Sequence, residues 1–163
     1  MRVLGVDPGS RATGWALILS HGNRSHLESF GIVRPKGPDH PTRLSDLDSK
    51  FTAIINELVP DCAAVESGFT GRNPKSGLVL AESRGVLLAA LGRVGVPVHL
   101  YTPAQVKSAM VGHGTAEKQQ VAFMVVRLLG IDQPPPSDAA DAAGVALTHI
   151  HSRVMVTARK RHI

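Results

Sequence analysis

Four carboxylates fall at positions where local structure alone does not ask for an acid. Asp7 ends the apolar run RVLGV and precedes Pro8-Gly9, and Glu66 closes the run CAAV. Asp138 and Asp141 stand three apart in SDAADAAGVAL, a spacing that puts both on one face of a helix's first turn. Each has an ordinary explanation by itself. Asp7 would suit an Asx turn, Asp138 a helix dipole, and Glu66 an exposed strand end. Together, four acids at one edge repel one another unless cations neutralise them. All-oxygen ligation suits Mg²⁺ or Mn²⁺, and the spacing shows no Cys/His cluster that suggests zinc. Two such ions, about 4 Å apart, clamp the attacking and leaving oxygens of a phosphodiester.

The flanking sequence must bring these acids together. RVLGVD reads as a buried strand, and WALILS and SHLESFGIVR follow after turn signals. Connections this short join antiparallel neighbours, so the three form a meander. RLSDLDSKFTAIINELV then changes to helical period, with Leu44, Leu47, Phe51, Ile54, Ile55 and Leu58 on one stripe. CAAVES and PVHLY are strands four and five, separated by the helix Leu78–Val94. A strand–helix–strand–helix–strand order implies right-handed crossovers and parallel pairing. Helices near 103–110, 115–129 and 137–152 complete the chain, with TPAQ a capping box and Ser137 the expected cap of the last helix. The expected class is α/β: a mixed five-stranded sheet, three strands antiparallel and the rest parallel, with helices on both faces. If strands one and four are parallel neighbours, Asp7 and Glu66 share the carboxyl edge, where open α/β sheets place their sites.

Composition narrows the partner. Eighteen Lys and Arg against 13 Asp and Glu give a net charge of +5 in 163 residues, enough for one domain with a proper core. Setting the four candidate acids aside leaves a decidedly basic surface, suited to a polyanion. Aromatic residues are 4%, too few for a platform that stacks successive single-stranded bases, so nucleic-acid contacts would go mainly to phosphates. No apolar stretch is long enough to cross a bilayer, and no signal peptide is evident. Cys62, the one cysteine, fits a reducing compartment and reads as a small buried hydrophobe. A cytoplasmic location is expected.

Taken with their order and spacing, GVDPGSRATGWA, VESGF, YTPAQVKSAMVGHGTAEKQQV and DAADAAGVALTHIH closely resemble the RuvC family of bacterial Holliday junction resolvases, whose fold is ribonuclease-H-like. The similarity runs from Arg2 to about His151. It implies a Mg²⁺-dependent endonuclease, with two ions per site and Mn²⁺ as a substitute. Such a homodimer would resolve four-way DNA junctions by paired symmetric nicks in recombination and repair. The family's acidic quartet falls on Asp7, Glu66, Asp138 and Asp141. Its junction-handling lysines fall on Lys107 and Lys118, and its junction-probing aromatic on Phe69. The resemblance also implies work alongside the RuvA–RuvB branch-migration machine. No membrane partner is expected, and the chain reads as a nuclease domain over residues 1–152 followed by a flexible basic tail over 153–163.

The residues themselves support parts of this. Lys118 falls in a first helical turn after Thr115, the expected cap, where a cation opposes the helix dipole. Phe69 to Gly77 form a Gly/Pro-rich loop that carries Arg72 and Lys75 directly after Glu66, and these two are further candidates for DNA contact. The helix Leu78–Val94 has Leu78, Val79, Leu80, Val86, Leu87, Leu88 and Leu91, more than one stripe for one sheet face. The surplus is expected to meet the same helix of a second subunit, through Leu87 or Leu91.

Overall fold

The computed structural model describes residues 1–22, 24–68 and 74–160, with 154–160 as backbone only. Three strands run first: β1 (Arg2–Asp7), β2 (Thr13–His21) and β3 (Arg24–Val33). Then α1 (His40–Leu58), β4 (Cys62–Glu66), α2 (Pro74–Val94) and β5 (Val98–Tyr101) alternate. The chain closes with α3 (Pro103–Val111), α4 (Lys118–Leu129) and α5 (Ser137–Lys160). The sheet order is β3-β2-β1-β4-β5, antiparallel across the first three strands and parallel from β1 through β4 to β5. This is the expected mixed architecture.

Period-two alternation decides what each strand shows to each side. Leu4, Val6, Leu17, Ala63 and Val65 pack against Leu47, Phe51 and Ile55 of α1 and Leu87, Ala90 and Leu91 of α2. Val3, Ala16, Ile18, Cys62 and Ala64 pack instead on Val106, Val121, Val125 and the alanine-rich face of α5. The result is three layers, with α1 and α2 below the sheet and α3, α4 and α5 above.

Helix α5 sits unusually close to the sheet, and two glycines permit it. A Cβ on Gly5 would fall 2.0 Å from the Ala142 carbonyl oxygen, and one on Gly14 would fall 1.9 Å from that of Asp138. Any side chain at either place would lift the helix away.

Three expectations change. The helix before β5 begins at Pro74 rather than Leu78, and its Leu87 and Leu91 are fully buried in their own subunit's core. Neither is available to a partner. The outward side of α2 carries Leu78, which is 63% exposed, and the exposed small residues Ala81, Gly85, Ala89 and Gly92. Helix α4 begins at Lys118 with Glu117 as its cap, because the Gln120 side chain accepts the Glu117 backbone N–H at 2.8 Å. Thr115 is left outside, its hydroxyl 3.2 Å from His113 Nδ1. Finally, the last helix, expected near 137–152, runs from Ser137 to Lys160. No helix among the described residues is long and apolar enough to cross a membrane.

Candidate active site

Parity and register place the acids. Val3, Gly5 and Asp7 alternate onto the α5 side of β1, as Cys62, Ala64 and Glu66 do on β4. Val6 is paired with Val65 in the parallel ladder, so the next residues, Asp7 and Glu66, stand side by side at the carboxyl edge. On the other side of β1, Asp7 pairs with Gly14, against whose Cα the first turn of α5 rests. Close approach at Gly14 therefore brings Asp138 and Asp141 to the same edge as Asp7 and Glu66. Beyond Glu66 the chain stays tight, since a Cβ on Gly68 would lie 2.4 Å from the Pro103 ring at the start of α3.

Between these elements lies a cleft of about 270 Å³, lined by Asp7, Glu66, Pro103, Val106, Lys107, Lys118, Val121 and Asp141. Lys107 reaches it from α3. Lys118, first residue of α4, forms an ion pair with Asp141. Asp138 does not line the cleft, but its charge is felt at Asp7.

The electrostatics show a site short of positive charge. Burial, then the charges of Glu66, Asp141 and Asp138, push the Asp7 carboxyl up to about 7, with Lys118 opposing. Burial and Asp141 likewise raise Glu66 against Lys118 and Lys107. Burial disfavours the Lys118 ammonium, but its hydrogen bond to Asp141 and the surrounding acids outweigh this and raise its pKa. Carboxylates packed so closely that one holds its proton near neutrality lack a counter-charge. Hard divalent cations with oxygen ligands, such as Mg²⁺ and Mn²⁺, fit this donor set.

The other expected DNA contacts are less complete. Lys75 is exposed in the first turn of α2 and lines a second cleft, of about 320 Å³, with Ser10, Arg11, Arg43, Ser76 and Val79. Arg11, in the turn after Asp7, and Arg43, on α1, are not legible as site residues in the sequence. Isolated basic residues carry no periodic signal, and only the packing of the turn against α1 and α2 gathers them. Phe69 and Arg72 lie outside the described residues.

A second group that sequence reasoning missed contains Cys62, His99 and His149, whose potential ligand atoms all lie within 4.8 Å of one another. The sequence spacing suggested no Cys/His cluster. Folding makes one from β4, β5 and α5.

The chain as a whole is similar to known proteins in sequence and in fold. The family described as "Crossover junction endodeoxyribonuclease RuvC" matches residues 3–149. A protein of that name from Syntrophomonas wolfei is 47% identical over 154 residues, covering 93% of this chain and 90% of the relative. A structure described as Thermus thermophilus RuvC superposes with a TM-score of 0.87 at 33% identity, covering 96% of this chain and 98% of that one. Another, described as T. thermophilus RuvC in complex with Holliday junction substrate, gives 0.88 at 34% identity, covering 96% and 97%. The five-stranded sheet and its helices are thus the ribonuclease-H-like fold of those resolvases, and the chain belongs to the RuvC family of crossover junction endodeoxyribonucleases.

Proposed function

We propose that this protein resolves four-way DNA junctions by metal-dependent hydrolysis of a phosphodiester in each of two opposing strands. One observation carries the reading. Four carboxylates from β1, β4 and α5 converge at one sheet edge beside Lys107 and Lys118, in a chain of the RuvC family. The T. thermophilus relative is described with a Holliday junction as its substrate.

Asp7, Glu66, Asp138 and Asp141 would hold two Mg²⁺ ions, with Mn²⁺ as an alternative. Bound there, the ions supply Lewis acidity and a water of lowered pKa for in-line displacement at phosphorus. The remaining work falls to this chain's residues. Asp7 feels the charges of the other three acids and is held at the end of β1 by its pairing with Gly14. Lys118 holds Asp141 and keeps a cation in the cleft, where a DNA phosphate would meet it. Lys107 offers a second cation from α3. The cleft of Arg11, Arg43 and Lys75 would receive phosphates further along the strand, giving position without sequence information. Phe69 is assigned to the junction crossover from family resemblance, and Arg72 to a DNA contact from its place in the loop after Glu66.

Two opposing cuts require two sites, and we assign the dimer contact to the outward side of α2. Ala81, Gly85, Ala89 and Gly92 leave that side nearly flat beside Leu78, and among the described residues nothing beyond the helix's own neighbouring backbone lies within 4 Å of a Cβ built at Gly85 or Gly92. Small residues in such a row let two helix backbones approach closely. Cooperation with RuvA–RuvB in the cytoplasm rests on the family resemblance, and the buried lone thiol of Cys62 suits that compartment.

The test is cleavage of a synthetic four-way junction in Mg²⁺, with linear duplex as control. Paired symmetric nicks confined to the junction are expected. Equal cutting of the duplex, or no cutting of the junction, would overturn the assignment.

A further inference from the structure

The group of Cys62, His99 and His149 lies away from the acidic cleft, towards the other end of the sheet. Cys62 begins β4 and Glu66 ends it, so the strand's length separates the two. Along α5, His149 is eight residues past Asp141, about 12 Å further down the axis. Cys62 and His149 are buried, and His99 is exposed on β5, where it pairs with Ala64.

His149 is 2% exposed, and its two ring nitrogens are treated differently. Nδ1 lies 2.8 Å from the Tyr101 hydroxyl. Nε2 is buried and has no hydrogen-bond partner among the described residues. Protein interiors rarely leave such a nitrogen unpaired. When Nδ1–H donates to the Tyr101 oxygen, Nε2 presents a lone pair into the cluster. A second hydrogen bond of this kind is how metal-ligating imidazoles are usually held in the ligating tautomer. The His99 ring stacks on His149, with centroids 4.2 Å apart, at the exposed end of the cluster.

We propose that Cys62, His99 and His149 form a second metal site, for a single zinc-class divalent ion, with a fourth position open to solvent beside His99. One thiolate and two imidazoles are the donors such ions prefer, whereas the hard ions of the acidic cleft prefer oxygen. Bonds of about 2.0–2.3 Å in a tetrahedral site put ligand atoms roughly 3.5 Å apart. The cluster must therefore close by about an ångström from the 4.8 Å limit, and the exposed His99 ring must turn out of its stack on His149 to aim a nitrogen lone pair at the ion. Loss of the Cys62 proton on binding cancels one of the ion's two charges, which matters because Arg153 stands nearby. The ion would tie β4, β5 and α5 together and so anchor the helix that carries Asp138 and Asp141. It is a structural clamp on the fold, independent of the nuclease reading.

The chain's single cysteine makes the site spectroscopically selective. Metal-free protein, kept reduced with a phosphine, is titrated with Co²⁺ in excess Mg²⁺. A thiolate-to-cobalt charge-transfer band should grow to one equivalent per chain, and Zn²⁺ should displace it. Zn²⁺ should also raise the melting temperature. Cys62→Ser should abolish the band and the Zn²⁺-dependent rise while leaving cleavage in Mg²⁺ unchanged. His99→Gln, on the surface, should fold normally and weaken Co²⁺ binding at least about tenfold. His149→Gln should do the same wherever circular dichroism shows the native fold. Absence of the band from wild-type protein, or binding by His99→Gln at unchanged affinity, overturns the proposal.

Discussion

Replacing Asp7 with Asn should stabilise this protein while abolishing the proposed junction cleavage. Asp7 is pushed from an ordinary 3.8 up to about 7, first by burial and then by the charges of Glu66, Asp141 and Asp138. Its folded-state pKa lies above its unfolded one, so the folded chain keeps the proton longer. The penalty is absent below about pH 4, grows as pH rises and is complete above about pH 7. At about 1.4 kcal/mol for each pH unit between the unfolded and folded values, the penalty comes to about 4 kcal/mol of lost stability at pH 8. Asn has the same shape and no charge, so it escapes the penalty at every pH. In a chain of this size, about 2–4 °C per kcal/mol turns that figure into a rise of roughly 8–16 °C in melting temperature.

The assay is a series of thermal melts in EDTA from pH 5 to pH 8.5, repeated in Mg²⁺. Asp7→Asn should exceed wild type most at high pH, and the gap should fall below half by pH 5. Mg²⁺ should raise wild type more than the variant, because binding to the folded state stabilises by mass action. Junction cleavage by the variant should fall to background, with binding in Ca²⁺ retained. An Asp7→Asn protein that melts no higher than wild type in EDTA at pH 8 would refute the electrostatic picture of an under-compensated cluster.

Other expectations test separate parts of the structure. Lys118→Ala should slow cleavage at least tenfold at moderate salt without loss of folding, since the lysine is exposed and its partner Asp141 would lose its anchor; single-turnover kinetics check this. Gly14→Val should cost about 2–4 kcal/mol and activity together, because its side chain would enter the space of the Asp138 carbonyl, as denaturant melts would show. Ala89→Glu, on the outward side of α2, should give folded monomers by analytical ultracentrifugation that no longer make paired nicks. Junction affinity should fall steeply with salt as phosphate contacts release counterions, and Arg43→Ala should reduce the slope of the double-logarithmic plot by about one.

Much of this molecule could be read directly along the chain. Strand and helix periods are local, so the five strands, their order in sequence and the antiparallel start followed by parallel crossovers were legible. So were the acids, because a carboxylate at the end of an apolar strand contradicts its surroundings and so attracts notice. The sequence did not reveal which side of α2 faces inward. Leucines and valines occupy several of its faces, and periodicity cannot rank them. Only packing against α1 and the sheet buries Leu87 and Leu91 and turns Leu78, Ala81, Gly85 and Ala89 outward. The cap of α4 was decided by competition, when Gln120 reached the Glu117 backbone and Thr115 turned to His113. Cys62, His99 and His149 left no trace in the spacing, because each sits on a different element. Their meeting depends on the β4–β5 register and on how closely two glycines let α5 approach the sheet. Contacts between elements are set by register and approach distance, and neither is written into any single segment of sequence.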